Sequence, residues 1–139
     1  MASGLYNIFK AEILKKTIDL VNDVVKLALL TSSHSFAASS ATNSQWSDIS
    51  ANEISGTGYT AGGKALTSQA VTVDNVGDGG VFDADNVSWT SATFTAAFGV
   101  LNNTTADFLL GCYDFGGDQT VTAGTFTVTF ASAGIIAIV

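Results

Sequence analysis

From Gln119 to Phe130 the chain sets Thr120, Thr122, Thr125, Thr127 and Thr129 among Val121, Phe126, Val128 and Phe130. A two-residue period belongs to an extended strand with one face buried and the other wet. No helix uses that pattern, so the C-terminal half must find a partner sheet for its apolar face. The same pattern recurs upstream. Leu66, Val71 and Val73 stand among Thr and Gln in Ala65–Val73, and Phe94, Ala96, Phe98 and Val100 stand against Thr93 and Thr95 in Ala92–Leu101. Shorter strands are read at Val81-Phe82, Asn86–Trp89, Asp107–Tyr113 and Ile135–Val139. Turn signals separate them at Gly77-Asp78-Gly79-Gly80, Asn102–Thr105, Gly116-Gly117 and Ala131–Gly134. Short strands at regular spacing predict a mainly β fold, an antiparallel β-sandwich that is jelly-roll-like or Ig-like. Phe94, Phe98, Phe126, Val128 and Phe130 are expected inside, with Thr93, Thr95, Thr127 and Thr129 on the opposite faces.

The first third reads differently. Ser3 is placed to cap one N-terminal α-helix over residues 4–17. Leu5, Ile8, Phe9, Ile13 and, with Tyr6, Leu14 form a stripe at i, i+3, i+4 spacing. That stripe either packs on the body of the domain or docks on a neighbouring subunit. Asp19, Asn22 and Asp23 mark a break, and Val24–Leu30 reads as a buried strand, although Ile18, Val21, Val25 and Ala28 also fit a continuing helix. Thr31–Asn52 is a long polar loop, expected to be functional or mobile. Its His34 reads as a solvated loop residue. Its Trp46, beside Phe36 and Ile49, either pins the loop to the core or anchors an interface. The glycine-rich stretch Gly56–Gly63 lacks the Gly-Lys-Ser/Thr of a phosphate cradle and the strand–helix context of a dinucleotide loop. It reads as turn and bulge chemistry, in which glycine supplies positive φ. At 139 residues the whole is expected to form a single domain, 1–139.

Charge divides the chain. Residues 1–64 hold all five lysines and five acids, whereas residues 65–139 hold seven acids and no base, so the net −7 lies in the second part. With no arginine and scattered lysines, the chain is not expected to bind nucleic acid, where affinity comes from cations displacing counterions. Met1-Ala2-Ser3 leads into a charged helix rather than a secretory leader. No uncharged run reaches the ~18–20 residues of a membrane helix, and no membrane partner is expected.

Chemistry is sparse. His34 is the only histidine, and no second ligand accompanies it at metal spacing. Asp83-x-Asp85-Asn86, with Asp74 and Asp78, has oxygen donors for calcium but lacks the length, central glycine and closing Glu of a helical calcium loop. It reads as a turn closed by Asx side chains. Cys112, between Gly111 and Tyr113 in a strand, reads as an inert buried thiol. No catalytic, cofactor-binding or metal-ligating residues are assigned, and the chain is not expected to be an enzyme.

Several segments resemble a family of small bacteriophage virion proteins. They are Leu5–Lys10, Val25–Ser33, Ser50–Gly63, Phe82–Trp89, Ala92–Ala96 and Asp114–Gly117. The resemblance runs over nearly the full length, with departures at Val21-Asn22-Asp23 and Phe98-Gly99-Val100. It implies a capsid decoration (cement) protein, made in the host cytoplasm and carried on the outer surface of the head. Its partners would be the major capsid protein and itself, as a homotrimer. Alternatives are a tail, neck or fibre adaptor, which would occur in few copies per virion, and a glycan-binding β module stacking sugars on Trp46, Tyr59 and Trp89. The neutral N-terminal part is the expected contact region, because charge is depleted and Trp enriched at interface cores. Its subunit or capsid contacts are assigned to Leu5, Ile8, Phe9, Phe36, Trp46 and Tyr59.

Overall fold

The computed structural model describes residues 3–39 and 43–139; residues 1–2, and residues 40–42 of the expected long loop, lie outside it. The protein is mainly β, with two antiparallel sheets and short helices. The elements are β1 (Gly4–Leu5), α1 (Asn7–Leu14), β2 (Val25–Leu30), α2 (Trp46–Ile49), β3 (Lys64–Ala65), β4 (Ala70–Asp74), β5 (Gly79–Asp83), β6 (Val87–Asn103), β7 (Phe108–Val128) and β8 (Ile136–Ile138). The large sheet has the order β1-β7-β6-β2-β3, and the small sheet β4-β5-β8.

The sandwich class holds, but its strands are fewer and longer than the turn signals predict. Asn86–Trp89 and Ala92–Leu101 join into β6, and Asp107–Tyr113 and Gln119–Phe130 join into β7. The expected turn at Gly116-Gly117 is a bulge. Ala96 pairs with Gln119 and Phe98 with Asp114, so Phe115–Asp118 all stand opposite Ala97. Gly116 (φ 81°) and Gly117 (φ 132°) take the conformations that glycine permits, and β7 bends instead of reversing. A second irregularity places Ser91 in the left-handed region, and a third does so for Ala123, whose N–H donates to Thr93 Oγ1 at 2.9 Å. Both sit where β6 and β7 shift register. The hairpin itself closes through Thr104–Asp107, where Asn103 Oδ1 accepts the Ala106 N–H.

Burial along β6 changes halfway. From Val87 to Thr95 apolar and polar residues largely alternate, and from Ala96 to Asn103 every residue is buried. The first half therefore has one wet face, where cross-strand hydroxyls pair: Thr95 with Thr120 and Ser88 with Thr127, each at 2.8 Å. The second half is covered on both sides. On one side Leu27, Leu29, Leu101 and Leu110 pack with Phe82 and Ile136 of the small sheet. On the other, Leu30, Phe98, Val100, Leu109 and Cys112 pack with Tyr6 and Ile49. Adjacent leucines such as Leu109 and Leu110 belong to opposite clusters, as strand geometry requires.

The N-terminus departs from its predicted helix. Ser3 does not cap it; its hydroxyl accepts the Asp114 N–H at 2.7 Å. Gly4 and Leu5 pair with Cys112 and Gly111, and Tyr6 N–H donates to Leu110 O at 3.0 Å. The helix begins only at Asn7. A helix from Gly4 would leave this edge of β7 without hydrogen-bond partners, and long-range pairing outweighs local propensity here. Of the predicted stripe, Tyr6 and Phe9 are buried and Leu14 is exposed. The predicted break is kept: Asp19 Oδ1 accepts the N–H groups of Val21 and Asn22.

Phe94 and Phe98 are buried, while Phe126, Val128 and Phe130 are half-buried against the same cluster as Phe94. Thr93, Thr95, Thr127 and Thr129 are exposed. Replacing Phe94 by Ala should cost about 3–5 kcal/mol, and Thr95→Ala less than about 1. Phe126→Ala should fall between them. Urea denaturation of the three variants checks this ordering, and similar losses at Phe94 and Thr95 would contradict the assignment of faces.

Candidate contact surface

The described parts of the segment after β2, residues 31–39 and 43–52, lie across the second face of the large sheet as a strap. Its ends are tied together: Thr31 N–H donates to Asn52 O at 2.8 Å, and Leu30 bridges Glu53. Its far part reaches the other edge, where Asn7 N–H donates to Ala38 O and Leu109 N–H to Ser44 O, both at 2.8 Å. Near Ser44 the strap turns into α2. Asp48 Oδ2 accepts the N–H groups of Ser44 and Gln45, which holds its carboxyl below the usual range and satisfies donors at the helix start.

Three predicted contact residues come together here. Ile8, Phe36 and Trp46 are each half-buried and pack on the Tyr6–Leu30–Phe98 cluster. Phe36 meets Tyr6 edge-on, with centroids 5.1 Å apart. Its ring also lies 3.3 Å from where a side chain on Gly4 would start, so a larger residue there would displace the strap. Trp46 thus pins the strap and keeps part of its surface outward. The strap from Thr31 to Asn52 contains a single formal charge, Asp48. The result is a polar but nearly neutral face, with part-buried apolar side chains in it, on a strongly acidic chain.

The other three lie elsewhere. Phe9 is 1% exposed and belongs to the core between the sheets, so its assignment as a contact residue is corrected. A helix starting at Asn7 rather than Gly4 brings Phe9 inward. Leu5 is half-buried and packs on that same core. Tyr59 is a bracket within the molecule. Its hydroxyl accepts the Leu29 N–H at 3.1 Å and donates to Glu53 Oε1 at 2.7 Å, and its ring lies against Trp89 and Phe94. Glu53 also accepts the Gly62 N–H. Tyr59 therefore fastens the glycine-rich stretch to β2, where Gly63 lies so close that a Cβ would sit 2.1 Å from Leu27 O. The trio considered for sugar stacking is not assembled, because Trp89 is only 3% exposed.

His34 corrects another expectation. It is 5% exposed, packed edge-on against Phe98 at 5.1 Å, and its Nε2 has no hydrogen-bond partner among the described residues. Burial lowers its pKa from the ordinary value. Local polarity marks Thr31–Asn52 as a loop, but the apolar sheet beneath it was not visible in that pattern. Three other titratable groups are tied into the fold. Burial pushes the Cys112 thiol up to about 12. Asp74 closes a turn by accepting the Val76 and Gly77 N–H groups, and Asp85 accepts the Thr67 and Ser68 hydroxyls. Sequence reasoning also missed a groove of about 400 Å³, whose walls include Ile13, Ile18, Leu20, Val71 and Ile136.

Two outcomes follow. Tyr59→Phe leaves the Leu29 N–H and Glu53 without their shared partner and should cost about 1–3 kcal/mol, read from the denaturation midpoint. The second concerns pH. With the folded pKa of His34 below about 6.5, the unfolded chain takes up the proton first as pH falls. The stability held by neutral His34 is complete above about 6.5 and declines below it, in a window above that of the carboxylates, near 4. Melting temperature should therefore fall between pH 7.5 and 5 in the native chain, and fall less in His34→Phe. Equal slopes would contradict a buried neutral imidazole. In comparisons with known proteins, no family model, no curated protein and no solved structure matches this chain.

Proposed function

We propose that the protein is a structural component of a phage virion, a decoration protein that binds the major capsid protein on the outside of the head. The observation that carries this reading is the strap face. Ile8 of α1, and Phe36 and Trp46 of the strap with its one formal charge, pack on one core cluster and keep part of their surface outward, in a chain of net charge −7. A nearly neutral region bearing aromatic side chains fits the core of a protein–protein contact, while the net charge of the remainder keeps the free protein apart from its copies. The sequence resemblance, carried by segments across the chain, supplies the setting.

A purely mechanical role agrees with the state of the chain's reactive groups. The sole histidine lies under the strap, and the sole thiol is held protonated at neutral pH. Neither is arranged as a base or a nucleophile. A decoration protein works by bridging neighbouring capsid subunits, so that many modest contacts resist the outward pressure of packaged DNA together.

Removing residues 1–16 would strip Tyr6 and Phe9 from the two cores, so the contact is better tested by point substitutions. Ile8 lies in the first turn of α1, where a carboxylate suits the helix dipole. Ile8→Glu should therefore keep the fold while placing a charge in the contact. It and Trp46→Ala should each weaken binding to undecorated heads at least ~10-fold, about 1.4 kcal/mol or more. Co-sedimentation measures this, with circular dichroism reporting the fold. Full attachment by both folded variants would reject the strap face as the docking site.

A further inference from the structure

We propose that the exposed edge of the small sheet, strand β4, is a second interaction surface, and that its partner is β4 of another copy of this chain. The two sheets treat their edges differently. On the large sheet, β1 is two residues long, and β3 is two residues long and carries Lys64. Short edges and lysines are the usual protection against unwanted strand pairing. Strand β4 has neither. It presents Ala70-Val71-Thr72-Val73 without charge until Asp74, among the described residues it pairs only with β5, and all four of those residues are exposed. The other edge of the small sheet, β8, offers three residues at the chain's end, and one of them, Ile136, is already buried.

Strand β4 is also self-complementary. Antiparallel pairing centred on Thr72 sets Thr72 against Thr72, Val71 against Val73, and Ala70 against Asp74. Threonine opposite threonine is the pair the fold already builds at Thr95–Thr120. The two Asp74 residues stand four positions apart along the ladder, ~14 Å, beyond the ~8 Å over which salt leaves charges coupled. No like charges oppose each other in a chain that otherwise repels its copies.

The apolar surface to be covered is on the same face. Val71 and Val73 are 52% and 78% exposed, and the register places them beside Phe82 and Gly80, in line with Ile136 and Ile138. A fully exposed aliphatic side chain holds on the order of 100 Å². Val71 and Val73 therefore bring roughly 100–200 Å² per partner to the pair, well below the roughly 800 Å² per partner of a standard stable interface. The pair is weak in free solution, and it strengthens wherever copies are held side by side. It has two-fold symmetry, unlike the homotrimer that the sequence resemblance implies, and it does not depend on the virion reading.

Sedimentation equilibrium of the full chain, from micromolar to millimolar protein, tests this. The expected result is a rise from the 14.2 kDa monomer toward twice that mass. Because Thr72 faces itself across the axis, Thr72→Lys and Thr72→Glu should each weaken the pair on the order of tenfold or more, and an equimolar mixture of the two should restore it. Hydrogen exchange on the native chain should show the Ala70–Asp74 amides gaining protection as concentration rises. A native chain that stays monomeric throughout, a trimer, association unchanged by either substitution, or a mixture that fails to reassociate would each overturn the proposal.

Discussion

The middle of the large sheet carries apolar side chains on both faces, and two separate covers are needed to keep water from them. Strands β2, β6 and β7 cross there, with Val25, Leu27, Leu29, Leu101 and Leu110 toward one side and Leu30, Val100, Leu109 and Cys112 toward the other. The small sheet covers the first side. The strap, with Tyr6, covers the second. Buried apolar surface contributes about 25 cal/mol per Å², so exposing either face would remove a large part of a stability that is itself only about 5–15 kcal/mol.

This constraint explains why polar residues sit where they do. The strap is polar in sequence because its outer surface is wet, yet His34 and Asn43 are buried on its inner side. The glycine-rich stretch passes close over β2 and β6, and Tyr59 holds it there through Leu29 and Glu53. Where a cover ends, threonine takes over: the outer half of the β6–β7 hairpin shows its second face to solvent, with Thr95 and Thr120 paired across it. Ile8, Phe36 and Trp46 pack on the second-face cluster and are left partly outside.

The period-2 pattern made the β architecture legible, together with strand β2, the exposed threonines and the burial of Phe94 and Phe98. What it could not show were features decided by distant partners. Gly116-Gly117 has the same local chemistry in a turn as in a bulge, and only pairing with β6 selects the bulge. Ser91 and Ala123 adopt left-handed conformations that nothing local to their sequence announces. Gly4 and Leu5 fit a helical stripe equally well until the open edge of β7 claims them. Of the residues expected to make contacts, Ile8, Phe36 and Trp46 keep part of their surface outward. Phe9 and Tyr59 turn inward, because helix start and loop closure fix their direction.

The functional proposal joins the strap face to the outside of a phage head, and a reconstruction of the particle that carries this chain tests it most directly. The predicted result is density for the chain in many copies on the outer shell, with Ile8, Phe36 and Trp46 against the capsid subunits and the small sheet, on the opposite side of the large sheet, outward. Density confined to the tail or neck, or copies on the head whose strap face points to solvent, would contradict it.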